Sequence, residues 1–402
     1  MSIKNVILIN DFGTLNGGVA FVALSSAVGL AKAGVNVTLL AATPPADSSL
    51  ADAGVNVVCT HQNDILSEPN RLKAAAYGIY NPVAAKALSD ILSSYSPKDT
   101  VVHVHGWMKS LSPSIFRATK KWGGKVFLTN HDFFSVCPNG GLFNYQTHKA
   151  CHLKAGSLRC ALCNCDSRSY AQKIWRFIRT KVQDRLLWQN DLHNIVISKA
   201  SSDLLAPYFS DLKLSASRVD NPVDIATSGC MANVKDNSYF MFLGRLSKEK
   251  GADMFCEAVT QLGVQGVVVG EGPLSSSLRD KYTSINFTGW KNGAEKEALL
   301  NGAKALVLPS ICNETFGLVV TEAMSRGIPC IVPAKTAPAE NIIDGKTGFL
   351  FKQGDLESLK ETIRKAASTD LSVMQSEIQS SFSPERWSLS THVTNLLKLY
   401  NS

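Results

Sequence analysis

Residues 305–330 read ALVLPSICNETFGLVVTEAMSRGIPC. The apolar run 305–308 has the continuous hydrophobicity of a strand buried on both faces, the kind found in parallel sheets. A polar turn with Asn313 and Gly317 follows, and then a helical stretch over 318–326. Two carboxylates sit eight positions apart. Glu314 falls in the loop and Glu322 about one turn inside the helix. A helix start offers unpaired backbone N–H groups and a partial positive charge, which suit a phosphate-bearing ligand.

Working outward, the same strand–helix rhythm covers the chain. Strands are expected at 6–9, 35–40, 55–59, 100–104, 125–129 and 194–197, and again at 239–243, 266–269, 305–308 and 328–332. Helical patterns run over 19–33, 72–92, 113–121 and 170–189, with a final amphipathic helix over 385–399. This alternation argues for an α/β protein with two doubly wound, Rossmann-like halves facing a central cleft. The weakly periodic stretch 206–238 marks the boundary, giving domains 1–205 and 206–384 followed by the terminal helix 385–402.

Composition bounds the alternatives. The 402 residues are 45% hydrophobic and 18% charged, a soluble globular balance with room for two cores. No apolar run approaches a membrane span, and the chain enters a strand at once without a cleavable leader, so a cytoplasmic protein is expected. The net charge of +8 is concentrated in residues 1–205, which hold 21 Lys and Arg against 12 Asp and Glu. A basic half suits an anionic lipid surface, a phosphorylated acceptor or ordinary solvation. The helical segment 170–188 mixes cations with Trp175, Phe177 and Trp188, and would either rest on an anionic membrane or pack its aromatics inward.

Candidate ligand loops follow the strands. Gly17 and Gly18 open a helix after the first strand and would allow close backbone approach, although the GxGxxG fingerprint of nicotinamide and flavin sites is absent. His103 and His105 alternate on one strand, with His105 nearer its carboxyl end, and His131 ends the next strand. Arg245 and Lys250 follow the first strand of the second half and are spaced to neutralise a diphosphate. Gly270 and Trp290 end later strands, where a base and ribose would lie.

Taken together, the segments GRLSKEKG (244–251), VGEGP (269–273), FTGW (287–290), LPSICNETFGLVVTEA (308–323) and PAENIIDGKTGFLF (338–351) resemble the retaining GT-B glycosyltransferases of family 4, glycosyl transferases group 1, of the bacterial surface-polysaccharide type. HVHG (103–106) and NHD (130–132) extend the resemblance more sparsely over the first half. It implies transfer of a sugar, with retention, from a nucleotide-diphosphate sugar to a glycan or lipid-linked acceptor, in polysaccharide or lipopolysaccharide assembly at the inner face of the membrane. It implies that Arg245 and Lys250 hold the diphosphate, and that Glu314 meets the transferred sugar. The backbone at Phe316, Gly317 and Leu318 would contact sugar and phosphate, and Glu322 the ribose. Gly17 and Gly18 would approach the phosphates, His131 the sugar, and His105 the acceptor or sugar. No catalytic cofactor, metal or nucleic-acid partner is expected, and the terminal helix would cross back to the first domain. An epimerase on the same architecture and a non-catalytic nucleotide-sugar-binding protein are the other readings.

One segment departs from the family pattern. The insert 133–168 carries Cys137, Cys151, Cys160, Cys163 and Cys165. A structural zinc on Cys137, Cys151, Cys160 and Cys163 is one reading, with Cys165 spare. An iron–sulfur cluster and free thiols are the alternatives.

Overall fold

A computed structural model describes residues 2–225 and 231–402. It divides into two compact units. The first comprises the chain up to Leu142, His152–Pro222 and Arg386–Ser402; the second comprises Phe143–Cys151 and Val223–Glu385. Part of the expected boundary stretch, 226–230, lies outside the described residues.

In chain order the strands are β1 (Asn5–Ile9), β2 (Asn36–Ala41), β3 (Asn56–Cys59), β4 (Thr100–Val104), β5 (Val126–Thr129), a short antiparallel hairpin β6 (Phe143–Asn144) and β7 (Lys149–Ala150), β8 (Leu192–Val196) and β9 (Ser215–Arg218). The first sheet is parallel throughout, in the order β3-β2-β1-β4-β5-β8-β9. Because side chains alternate along a strand, each central strand feeds two cores. Ile7, Ile9, Val102, Val104, Val126 and Leu128 fill one. Val6, Leu8, Val101 and Phe127 fill the other, together with Val393, Leu396 and Tyr400 of the helix Leu389–Tyr400. The terminal helix is therefore part of the first unit's core.

The second unit adds β10 (Tyr239–Leu243), β11 (Gly266–Val269), β12 (Asn286–Gly289), β13 (Ala303–Val307), β14 (Cys330–Pro333) and β15 (Gly348–Phe351). They form a parallel sheet in the order β12-β11-β10-β13-β14-β15. Strand order reverses between β1 and β4 in the first sheet and between β10 and β13 in the second. In doubly wound sheets ligands bind where the order reverses.

Three differences from the sequence reading have local causes. The single helix expected over 72–92 is two, Arg71–Ile79 and Pro82–Leu92. Pro82 has no N–H and biases Asn81 to extended backbone, where the Asn81 side chain caps the second helix by accepting from the N–H groups of Val83 and Ala84. The first unit runs on past residue 205 to Pro222 because β9 pairs with β8; its sequence SASR carries no apolar signal. The segment Phe143–Cys151, expected inside the first domain's insert, groups with the second unit.

Four imidazoles sit where the terminal helix meets the first sheet. His392 Nε2 lies 2.9 Å from Ser26 Oγ, and His392 Nδ1 donates to the Asp220 carbonyl at 2.8 Å. His103 bridges the Tyr400 hydroxyl and Thr129 Oγ1. The ring of His105 lies 4.2 Å from that of His103 and stacks on His131 at 5.2 Å. Burial disfavours the charged ring, and neighbouring imidazoles add to the effect. His131 falls from the ordinary 6.5 to about 3 and His392 to about 4; His103 and His105 are also held well below the ordinary range. The unfolded chain binds protons at these rings below its ordinary pKa while the folded protein does not. Stability is thus fully present above pH 6.5 and is lost as pH falls through the window towards 3 to 4, by about 1.4 kcal/mol per pH unit for each ring. A denaturant midpoint that drops between about pH 7.5 and about pH 5, and drops less in His392→Asn, is the expected result. A flat profile over that range would contradict it.

Candidate functional site

In the second unit the loops after β10 and β13 meet at the reversal point. The amides of Ile311 and Cys312 donate to the Glu249 carbonyl. Gly251, at φ +69°, packs so closely that a Cβ would lie 2.1 Å from the Pro309 carbonyl oxygen. The loop after β11 is joined as tightly: Gly270, at φ +130°, leaves only 2.0 Å between a notional Cβ and the Gly244 carbonyl oxygen. Glycine is the only residue that fits at either place.

This interlock sets Lys250 against Glu314 at 2.7 Å, and Ser310 Oγ donates to the same carboxylate oxygen. Burial works against both charges, but each stabilises the other. Lys250 is raised above its ordinary value and Glu314 held below its own. Glu314 is therefore an ionised, acceptor-only group. Glu322, in the helix Leu318–Met324, contrasts with it. Burial pushes its carboxyl up, against the opposing pull of Lys296 at 3.1 Å. Lys296 also reaches Asp224 at 3.4 Å, and Arg326 donates to the carbonyls of Glu322 and Asp224.

Arg245 is exposed, and among the described residues its guanidinium has no hydrogen-bond or ion-pair partner. Gly317 (φ +89°) caps the helix Leu318–Met324 against Pro338, Phe316 is buried beside it, and Trp290 stands 57% exposed after β12. The structure thus gathers Lys250, Glu314 and the Gly270 loop at one end of the sheet. Ser310 and Lys296, which orient the two glutamates, carry no sequence signal beyond ordinary polarity.

In the first unit, Gly17 (φ +150°) precedes the helix Gly18–Lys32 with open space where a side chain would stand. His105 follows β4 and His131 follows β5, with 3.0 Å between His105 Nδ1 and His131 Nε2. The buried His105 Nε2 has no partner among the described residues. Sequence reasoning missed Asp11. Its buried carboxylate accepts the amides of Lys109, Ser110 and Leu111 at 2.9 Å, joining the loops after β1 and β4 at their own reversal point. It also missed Asp132, whose carboxyl burial raises to about 6 against the pull of the Phe134 amide, Lys109 and Arg179. The acid that closes NHD is the one clue the sequence offered.

The helix Tyr170–Leu187 turns Trp175 inward and leaves Tyr170 exposed. Trp175 packs on Gly78 and donates to the Ala75 carbonyl, and the buried Arg179 lies over Trp175 and Phe134. Of the cysteines considered for zinc, Cys151 groups with the second unit and Cys137, Cys160 and Cys163 with the first, as does Cys165. Cys137 donates its thiol proton to Asn139 Oδ1 at 3.1 Å. Among the described residues no group of three or more His, Cys, Asp or Glu is placed to hold a metal ion.

Comparison with known proteins agrees with this geometry. Residues 231–378 match the model of glycosyl transferases group 1, and residues 17–162 that of the glycosyl transferase 4-like domain. A sulfoquinovosyl transferase of Arabidopsis thaliana is 35% identical over 129 residues, 30% of this chain and 25% of that protein. A putative colanic acid biosynthesis glycosyltransferase of Salmonella typhimurium is 30% identical over 152 residues, 34% of this chain and 37% of that protein. The matches thus span well under half the length of these relatives. The crystal structure of Anabaena HepE in complex with UDP and glucose covers 100% of both chains with a TM-score of 0.69 at 16% identity, a likeness of fold. The chain belongs to the family 4 glycosyltransferases and has their GT-B fold of two Rossmann-like domains.

Proposed function

We propose that this protein is a retaining hexosyltransferase that moves a sugar from a nucleotide-diphosphate sugar to a glycan or lipid-linked acceptor in bacterial surface polysaccharide or lipopolysaccharide assembly. The observation that carries the reading is the Lys250–Glu314 pair at the strand-order reversal, with the exposed Arg245 guanidinium on the same loop as Lys250. Breaking a sugar–phosphate bond builds negative charge on the diphosphate and positive charge at the anomeric carbon. Arg245 as a planar fork and Lys250 as a point charge stabilise the first. Glu314, kept ionised by Lys250, accepts hydrogen bonds from the transferred sugar's hydroxyls. Glu322 takes the ribose hydroxyls, and the backbone at Phe316, Gly317 and Leu318 meets sugar and phosphate. Gly270 and Trp290 border the base. Gly17 and Gly18 approach the phosphates, and the neutral His131 and His105 serve as hydrogen-bonding groups towards sugar and acceptor. Two fixed cations do the work that a divalent metal does in other transferases, and the leaving phosphate takes the acceptor's proton in a front-face displacement that retains configuration.

Peripheral membrane contact belongs to the same proposal. Leu158, Leu162, Tyr170 and Ile178 are exposed apolar groups on the first unit, interleaved with the exposed Arg159, Arg168, Lys181 and Arg185. No helix among the described residues is long and apolar enough to cross a membrane.

A thermal-shift screen of UDP-, GDP- and ADP-sugars is expected to single out one donor. With that donor, Glu314→Gln and Lys250→Met should each lower kcat by about 10²- to 10³-fold, and the product should keep the donor's anomeric configuration by NMR. Full transfer by Glu314→Gln would remove the site assignment, and conversion of the sugar nucleotide without any acceptor would favour epimerisation. Sedimentation with anionic vesicles should weaken in Leu158→Ser/Leu162→Ser and at high salt; equal binding to neutral vesicles would defeat the electrostatic part of the membrane proposal.

A further inference from the structure

A pocket lies in the first unit between the loops that follow β3 and β4 and the helix Arg71–Ile79. It encloses about 280 Å³, part of it open solvent. That is just below the usual range for drug-sized ligands and on the scale of one sugar ring. Gln62, Asn63, Glu68, Tyr77, Asn81 and Ser110 supply most of its polar lining. The loop after β3 is held in advance. Asp64 Oδ1 accepts the amides of Leu66 and Ser67, and Arg71 donates to the carbonyls of Ile65, Leu66 and Glu68. Ile65 in turn donates to the Lys109 carbonyl, joining this loop to the one after β4. A site ordered before its ligand arrives loses less freedom on binding.

Asn81 is the buried hub of this pocket. Its Nδ2 donates to Gln62 Oε1 and to the Ser110 carbonyl, both at 2.8 Å, and its Oδ1 accepts the amides of Val83 and Ala84. Gln62 Nε2 therefore has only a 3.4 Å contact to an oxygen that two other donors share. Ser110 lines the pocket and is 4% exposed, yet its Oγ has no partner among the described residues. Both groups have bonding capacity left for a ligand. The charge balance narrows the ligand's class. Lys73, the single cation of the lining, lies 3.0 Å from Glu68 Oε2 and 5.6 Å from the centre of the Tyr77 ring. A phosphate or carboxylate would meet the Glu68 carboxylate and no uncommitted cation. An uncharged, hydroxyl-rich ring fits instead. The Gln62 and Asn63 amides and the Glu68 carboxylate bond hydroxyls, and the Tyr77 ring offers an apolar face to C–H groups.

We propose that this pocket binds one uncharged pyranose of the acceptor glycan, with Ser110 and Gln62 as specificity-determining contacts. The proposal rests on the transferase reading above and narrows the acceptor to a neutral sugar at this subsite. Its place in the fold supports it. Ser110 lies five residues beyond His105 on the same loop, and its amide is held by Asp11, the acid that ties the loops after β1 and β4 together. A sugar seated on Ser110 is thus tied through one short, fixed loop to the imidazole end of the sheet.

The test is saturation-transfer difference NMR on the full-length protein, with the methyl glycosides of glucose, galactose, mannose and N-acetylglucosamine as probes. At least one glycoside should receive saturation, and Tyr77→Ala should weaken its binding by about fivefold or more. Ser110→Ala should weaken the same binding while leaving the melting temperature level or higher, because the hydroxyl it removes is unpartnered. A serine with a purely structural role would not give that combination. Should Tyr77→Ala fail to fold, Asn63→Ala, at an exposed position, takes its place. No signal from any of the four glycosides, signals unchanged in the variants, or tighter binding of glucose 1-phosphate than of methyl glucoside would each overturn the proposal. Kinetics separate it from the reading on which it rests. Transfer with an acceptor KM unchanged in Ser110→Ala removes this pocket and keeps the transferase. Glycoside binding that depends on Tyr77 and Ser110, without transfer to any sugar, keeps the pocket and removes the transferase.

Discussion

The ion pair between Lys250 and Glu314 is the interaction on which the second unit's ligand end depends. A carboxylate that is 11% exposed stays ionised only beside a counter-charge, and that counter-charge comes from a different loop. The two loops are brought together by backbone alone. Gly251 against Pro309 and Gly270 against Gly244 leave no room for a Cβ, so the polypeptide interlocks before any side chain is considered. The topology supplies the rest: strand order reverses between β10 and β13, and the pair spans that reversal. Glu314 and Glu322 show what environment does to identical groups. One faces an ammonium and a serine hydroxyl and stays charged; the other is driven towards its neutral form by burial.

The first unit solves the corresponding problem with the opposite chemistry. Its loops after β1 and β4 are joined by Asp11, a buried acid satisfied by three amides instead of a cation. Its imidazoles are kept neutral by burial and by one another, so this end of the sheet offers hydrogen bonds without charge. The concentrated positive charge of residues 1–205 lies elsewhere, including the exposed face of the helices around Leu158 and Ile178.

Most of the fold was legible because parallel strands buried on both faces read as continuous apolar runs; β4, β10 and β11 have the expected bounds to the residue. Edge strands were less legible: β3 was expected, but β9 and β12 were not. β9 is SASR, with small polar side chains, and β12 carries a single large apolar residue, Phe287. At the candidate site, the glutamates and cations stood out by spacing, but Ser310, Lys296 and Asp11 did not. Their importance lies in contacts across 4, 26 and about 100 residues of sequence, which no local pattern encodes. Spacing also singled out the cysteines of the insert, but spacing says nothing about which sulfurs share a pocket, and the contact of Lys173 with Cys160 carried no sequence signal.

The terminal helix has a consequence for how the chain is made. Val393, Leu396 and Tyr400 complete the core that begins at Val6 and Leu8, and His103 takes its hydroxyl partner from Tyr400. On the ribosome, the N-terminal half emerges first but lacks these side chains until nearly four hundred residues have been added. Everything between 223 and 385 has left the exit tunnel before the first sheet can close its second face. The usual order of vectorial folding is inverted: the later unit has all its parts first, and the earlier one waits with an apolar surface uncovered until the helix Leu389–Tyr400 has emerged.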